Sequence, residues 1–422
     1  MKKTITSAGL VMLGAVSLHA QRTAYAPAPG LSSTELSKWW SVSASLRGFY
    51  DGNYTTAPSR SPGKRESFGF EASPSAAINW TLPQTYLGLS YIYGFRWYDD
   101  RRTHQYDQVH QANAKLSHAF NEHYKIDIAD SFVSAQEPEI IDRTGGVITV
   151  PLRSEGDNIR NTVSGTFTAD LTEHIGVVLG YTNNYYDYDQ RGTGSYSALL
   201  DRVEHLGTAN LRWQLAPSTV GILGYQYGVV DYNSPDFLSP FSTLRGRDRN
   251  NHSHYGYLGL DHNFNSQLQT SLRVGAQYTE YDHFHNDSVS PYADASVTYT
   301  YNPGSYLLLG VRHARNATDI AFISGTTPTL DEETTTVYGS LNHKLTAKLT
   351  GSVLAQMQYS QFERGGASGE AEIFLLTGVN LTYDINRFLS AEAGYNYDRL
   401  DSDISNRSYT RNRVYIGVRA SY

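Results

Sequence analysis

From Trp40 to the C-terminus, apolar and polar residues alternate at every second position, in runs of ten or more residues separated by turn-forming segments. A period of two belongs to strands with one apolar face, whereas a helix would repeat near 3.6. In residues 85–97 the odd positions are Leu87, Leu89, Tyr91, Tyr93, Phe95 and Trp97, while the even ones include Gly88, Ser90 and Arg96. Residues 348–359 place Leu349, Gly351, Val353, Ala355, Met357 and Tyr359 on one side. Residues 372–385 do the same with Ile373, Leu375, Thr377, Val379, Leu381, Tyr383 and Ile385. A tilted strand crosses a hydrocarbon layer in about 9–11 residues, and these rows are long enough. About eighteen such runs are found, centred near residues 46, 73, 92, 112, 129, 164, 181, 208, 225, 258, 275, 296, 310, 341, 354, 379, 394 and 415. The pattern predicts an all-β fold: a transmembrane antiparallel β-barrel of 16–18 strands. One run breaks the rule. Asp130 falls between Ile128 and Phe132 on the expected lipid face, and a bulge that shifts the register is expected there.

The connections alternate in length. Short ones carry turn residues, as in Leu82-Pro83-Gln84, Asn121-Glu122-His123, Thr172-Glu173-His174, Ala216-Pro217-Ser218, Asn265-Ser266, Asn302-Pro303-Gly304, Thr346-Ala347 and Asp384-Ile385-Asn386. Between them most connections are longer and polar or rich in Gly and Pro, notably 51–65, 138–156, 189–197, 233–251 and 315–333. Short periplasmic turns and long extracellular loops are the arrangement of bacterial barrels, and a soluble sandwich has no reason to sort its loops this way. Both ends then lie in the periplasm, which requires an even strand number.

The N-terminus reads as an export signal over residues 1–20: Lys2 and Lys3, an apolar stretch from Ile5 to Leu18, and Ala20 before the cut at Gln21. Residues 21–39 form a short periplasmic segment with a candidate capping box at Ser32-Ser33-Thr34-Glu35, and residues 40–422 form the barrel. A mean hydropathy of −0.45 looks soluble, but averaging over alternating faces cancels the membrane signal. The 33 tyrosines suit interfacial girdles, where a ring sits in apolar surroundings and its hydroxyl in water. The chain has no cysteine, which excludes disulfides and thiolate chemistry. Without residues 1–20 there are 32 basic and 41 acidic side chains, a net charge of −9 that argues against a nucleic-acid partner.

The last strand ends an apolar ladder on an aromatic: Val414, Ile416, Val418, Ala420 and Tyr422. This is the pattern expected of a C-terminal assembly signal read by the barrel-assembly machinery, in a strand that must pair with the first to leave no open edge in lipid. The run Tyr409-Thr410-Arg411-Asn412-Arg413-Val414-Tyr415-Ile416-Gly417-Val418, closing Arg419-Ala420-Ser421-Tyr422, resembles the end of an outer-membrane β-barrel porin family. The segment Tyr257-Leu258-Gly259-Leu260-Asp261-His262-Asn263-Phe264 is similar to that family's strand-then-turn units. The resemblance implies a barrel from about Trp40 to the end. Some members accompany exopolysaccharide export, so it also brings in that role.

The same alternation assigns charges to the interior. The expected lumen-lining residues are Arg47, Arg96, Lys115, Arg160, Arg202, Arg212, Arg273, Arg312, Lys344, Arg413 and Arg419, with Asp127, Asp170, Glu204, Asp261, Asp294, Glu372 and Glu392. Lipid exclusion alone accounts for such a lattice, since a cation at the bilayer midplane costs about 2–4 kcal/mol. A field across the lumen is the functional alternative, and the excess of basic residues makes it a mild preference for anions. Tyr98, Tyr185, Tyr186, Tyr188, Tyr232, Tyr278, Tyr281, Tyr395 and Tyr397 cluster toward the outer ends. Those facing outward suit a girdle, and inward ones such as Tyr186 and Tyr188 could stack on sugars. His283 and His285, with Asp282 and Asp287, fit either a surface metal site or an exposed polar loop, and Asn251-His252-Ser253-His254 reads the same way. No G-x-S-x-G, Gly-rich phosphate loop or H-E-x-x-H occurs, so neither an enzyme nor a cofactor is indicated.

The expectation is a porin-like channel for small hydrophilic solutes, embedded in outer-membrane lipids, with oligomerisation open. The alternatives are a barrel for exopolysaccharide export and a structural or adhesive barrel whose lumen is blocked.

Overall fold

The computed structural model describes residues 38–58, 63–102, 104–135, 157–284, 287–321, 323–324 and 327–422. The export signal, most of the 21–39 segment with its capping box, the loop 138–156 and His285 lie outside the described residues. Eighteen strands form one antiparallel sheet. In chain order they are β1 (Trp40–Asp51), β2 (Ser67–Thr81), β3 (Thr85–Tyr98), β4 (Tyr106–Ala119), β5 (Tyr124–Ala135), β6 (Asn158–Asp170), β7 (Ile175–Tyr188), β8 (Arg202–Ala216), β9 (Thr219–Tyr232), β10 (Asn251–Asn263), β11 (Leu268–Tyr281), β12 (Ser288–Asn302) and β13 (Ser305–Ala317). After a two-residue hairpin, β14 (Ile323–Ser324) and β15 (Thr327–Pro328), come β16 (Asp331–Lys344), β17 (Leu349–Glu363), β18 (Ala371–Asp384), β19 (Leu389–Ser402) and β20 (Tyr409–Ser421). Each of the eighteen expected runs corresponds to one barrel strand.

Every barrel strand pairs with its neighbours in sequence, and β1 pairs with β20 from Ser43 opposite Ser421 to Asp51 opposite Arg413, which closes the cylinder. Closure is what hydrocarbon demands, because each backbone N–H and C=O must find a partner within the protein. The outward residues are the apolar ones: Val42 and Leu46 in β1, Leu89 and Tyr91 in β3, Leu258 and Leu260 in β10, and Val414, Ile416 and Val418 in β20 are all exposed. At the end with the short turns the outside turns aromatic, with Trp80, Phe120, Tyr124, Trp213, Phe264, Tyr383 and Tyr422 exposed. Tyr422 also packs on Phe388 and Trp40 at ring-centroid distances of 5.9 and 5.4 Å, fixing the chain's end to its first strand.

The short turns share one device. In five of them an Asn or Thr side chain accepts from the backbone N–H groups two and three residues on: Asn121, Thr172, Asn265, Thr346 and Asn386. This local competition of short polar side chains for backbone donors fixes the turn without distant contacts.

The expected bulge at Asp130 is not there. β5 pairs with β4 and with β6 in unbroken register, and the register shifts instead fall beside two short turns, at Gln214/Ala216 and Thr300/Asn302. Asp130 stays on the outward face, where the Asn161 side-chain amide donates to it at 2.8 Å. A cross-strand hydrogen bond therefore takes the place of a backbone defect. Replacing both Asp130 and Asn161 with Leu is expected to stabilise the barrel by about 1–2 kcal/mol, because an outward carboxylate is removed from the hydrocarbon level. The folded fraction across a urea series in lipid vesicles measures this, and a lowered midpoint would contradict it.

Candidate functional site: the lumen and its outer mouth

With apolar side chains outside, alternation sends the charged residues inward, where they build a lattice across neighbouring strands. On the wall around the seam, Arg47 donates through Nε to Glu392 at 2.9 Å and lies 3.4 Å from Glu71. Arg96 reaches the same Glu71 at 2.9 Å, and the Arg47 guanidinium sits 4.8 Å from the Tyr415 ring centroid. One network thus spans β19, β20, β1, β2 and β3. Farther out, Arg413 pairs with Asp398 at 3.0 Å, and Arg411 donates through Nε to Asp51 at 3.0 Å. Arg419, toward the periplasm, donates to Ser43 at 3.2 Å.

On the far wall Arg273 pairs with Asp261 at 2.8 Å, and the register sets Arg273, Asp294 and Arg312 side by side on β11, β12 and β13. Arg202 donates to Glu204 at 2.7 Å with its guanidinium 4.1 Å from the Tyr186 centroid, and Arg160 stands opposite Tyr186 on β6. Asp127 pairs with Lys125 at 2.9 Å. Arg212 and Asp170 take inward positions toward the periplasmic ends of β8 and β6. Lys115 and Lys344 also take inward positions, yet both are exposed, as they would be beside water within the lumen. Glu372 faces inward near the outer rim, where it meets Arg407.

The interior tyrosines are packed away. Tyr98, Tyr188, Tyr232 and Tyr281 take inward positions and are buried under the outer loops, with Tyr98 held by Phe49, Tyr54 and Arg101. They are neither girdle nor open stacking platforms. Tyr278 and Tyr395 are on the outward face, as a girdle requires.

The outer mouth is shaped by residues 318–321, which follow β13. Thr318 and Ile320 are buried. Arg249, in the turn Gly246–Arg249 between β9 and β10, donates to the Ile320 and Thr318 carbonyls at 3.2 and 3.5 Å and also to the Leu199 carbonyl in α1 (Tyr196–Leu200). Arg407, between β19 and β20, binds Asp319 at 2.9 Å and Glu372 at 3.2 Å. Around the ring, the β9/β10 pair and the β19/β20 pair are separated by six strands one way and eight the other. Arginines from nearly opposite walls therefore hold three consecutive residues, so Thr318-Asp319-Ile320 lies over the opening rather than along its edge. Ile320 completes this hub by packing with Phe362, Ala367 and Ile404.

Burial pulls the Arg407 guanidinium down, and the adjoining Asp319 and Glu372 carboxylates more than reverse this, so its pKa is held above the ordinary arginine range. Burial dominates at Arg249 and lowers its pKa, with the Tyr232 ring 4.3 Å away and backbone carbonyls as its hydrogen-bond acceptors. Neither arginine nor Asp319 was legible in the sequence, because loops have no period to read. Glu71 is missing from the expected lining residues, although its inward parity between Phe70 and Ala72 could have found it; it stands opposite Arg47 on one side and Arg96 on the other.

The closed cylinder, apolar outside and charged within, defines an eighteen-stranded transmembrane β-barrel. Residues 332–422, the last five strands, match the family described as Putative beta-barrel porin 2. No curated protein sequence matches the chain. Among solved structures it is similar to OpdK of Pseudomonas aeruginosa, crystallised with vanillate (10% identity, 91% of this chain and 99% of that one, TM-score 0.46). It is similar also to OccAB4 of Acinetobacter baumannii (12% identity, 91% and 99%, TM-score 0.45) and to OccK9 of Pseudomonas aeruginosa (13% identity, 91% and 98%, TM-score 0.47).

Proposed function

We propose that the barrel passes small hydrophilic solutes through a lumen narrowed at its outer mouth, with a weak preference for anions. The observation that carries this reading is the hub at Thr318-Asp319-Ile320, held by Arg249 and Arg407 over an interior lined with charged and polar groups. An eighteen-stranded cylinder is too wide for its own wall side chains to fill, so an aqueous path remains beneath the constriction. A conduit for an exported polysaccharide is less well supported, since a polymer would need the mouth clear of the segment that crosses it. The lumen-lining roles of the inward charges belong to the same proposal: arginines set the local field and carboxylates position them.

Recording the purified protein in a planar bilayer under a KCl gradient tests the reading. Discrete conductance steps are expected, with a reversal potential displaced toward that of chloride. A silent bilayer would favour a structural barrel with a closed lumen, and a displacement toward potassium would overturn the anion preference while leaving the channel.

A further inference from the structure

Three side chains outside the lumen converge on the barrel's outer surface. His252 and His254 alternate on β10, so both imidazoles project outward, and Glu280 stands opposite His252 on β11. A nitrogen of each imidazole and an oxygen of Glu280 lie within 4.8 Å of one another, and His252 Nε2 already contacts the Glu280 carboxylate. A tetrahedral ion with bonds of about 2.0–2.2 Å would hold its ligand atoms roughly 3.3 Å apart, so small side-chain rotations close the set.

The remaining nitrogens are also occupied in the way a metal site requires. His252 Nδ1 faces Asp282 Oδ1 at 3.3 Å, and His254 Nδ1 faces the Tyr225 hydroxyl at 2.7 Å. A metal-bound imidazole uses its second nitrogen to donate to a carboxylate or another oxygen, which fixes both tautomer and ring orientation. Here both Nδ1 atoms have such an oxygen, leaving both Nε2 atoms for an ion. The Tyr227 ring, 5.0 Å from His254 and 6.3 Å from His252, walls one side of the cluster.

We propose that His252, His254 and Glu280 form a three-ligand site for a borderline divalent cation of the Zn²⁺ class on the outward face of the barrel at its outer rim. Two imidazoles and one carboxylate suit zinc and disfavour calcium and magnesium, which take oxygen ligands. On binding, the ion replaces any proton between His252 and Glu280, ties β10 to β11 at the rim, and leaves a coordination position for water. Asp282 and Tyr225 are positioning residues.

Isothermal titration of the refolded, chelator-stripped barrel in detergent micelles tests this, with ZnCl₂ in one arm and CaCl₂ in the other. One equivalent of zinc and no calcium binding are expected. His254→Ala and Glu280→Gln should each weaken zinc binding at least ~100-fold, and Asp282→Asn should weaken it by roughly 10–100-fold. His118→Ala, on a histidine at the periplasmic end, should leave it unchanged. Heat-modifiable electrophoresis verifies that each variant is a folded barrel before titration. Cobalt supplies a second readout, because a tetrahedral site of this kind gives it an intense visible spectrum that His254→Ala removes. Absence of zinc binding to the wild-type barrel, or equal binding by folded His254→Ala, overturns the proposal.

Discussion

Replacing Arg249 and Arg407 together with alanine will raise single-channel conductance several-fold and weaken discrimination by solute size. Arg407 joins Asp319 to Glu372, and Arg249 joins the backbone of Thr318 and Ile320 to α1. Hydrogen bonds to charged groups contribute about 1.5–3 kcal/mol each, and 1.4 kcal/mol is a factor of ten in population. Losing both arginines therefore shifts Thr318-Asp319-Ile320 from almost wholly docked to substantially released. Each single variant should show an intermediate effect, with brief openings above the wild-type level in the recordings. Blocking by sugars of graded size checks the change in radius: larger sugars must enter the double variant. Unchanged conductance in a folded double variant would mean that the hub does not limit flow.

Arg47→Leu will cost about 3–5 kcal/mol of barrel stability, because removing one member of a partly buried ion network leaves its partners uncompensated. Glu392 and Glu71 both face Arg47, and Glu71 retains Arg96 whereas Glu392 loses its paired guanidinium. The loss therefore falls mainly at Glu392, and Arg47→Leu combined with Glu392→Gln should recover a large part of it. Urea titration in vesicles, followed by the heat-modifiable gel shift, gives the ranking: wild type above the double variant, and the double above the single. Equal stability of the two variants would show that the cost lies in lost packing against Tyr415 rather than in the charge.

The barrel was readable because lipid imposes one rule on every strand. Leu87, Leu89 and Tyr91 could face only outward, and with them the parity of Arg96 was settled. The same rule misled at Asp130, where a bulge was expected, because parity ignores what a neighbouring strand offers; Asn161 does not announce itself as a partner from thirty-one positions away. Tyr98 and Tyr232 show a second gap. Their inward direction follows from alternation, but their burial depends on Tyr54 and Arg249, which arrive from loops with no repeating pattern. The metal candidates divide along the same line. His252 and His254 were visible as a pair, whereas Glu280 joins them only through the β10–β11 register.

The repeated Asn and Thr clasp at the short turns has an evolutionary consequence. Since five of the hairpins are aligned in this way from their periplasmic side, segments on the opposite side can lengthen, shrink or exchange without dislodging the wall beneath them. Innovation is thereby confined to the face that meets the environment, and a lineage could retune what enters by editing loops alone.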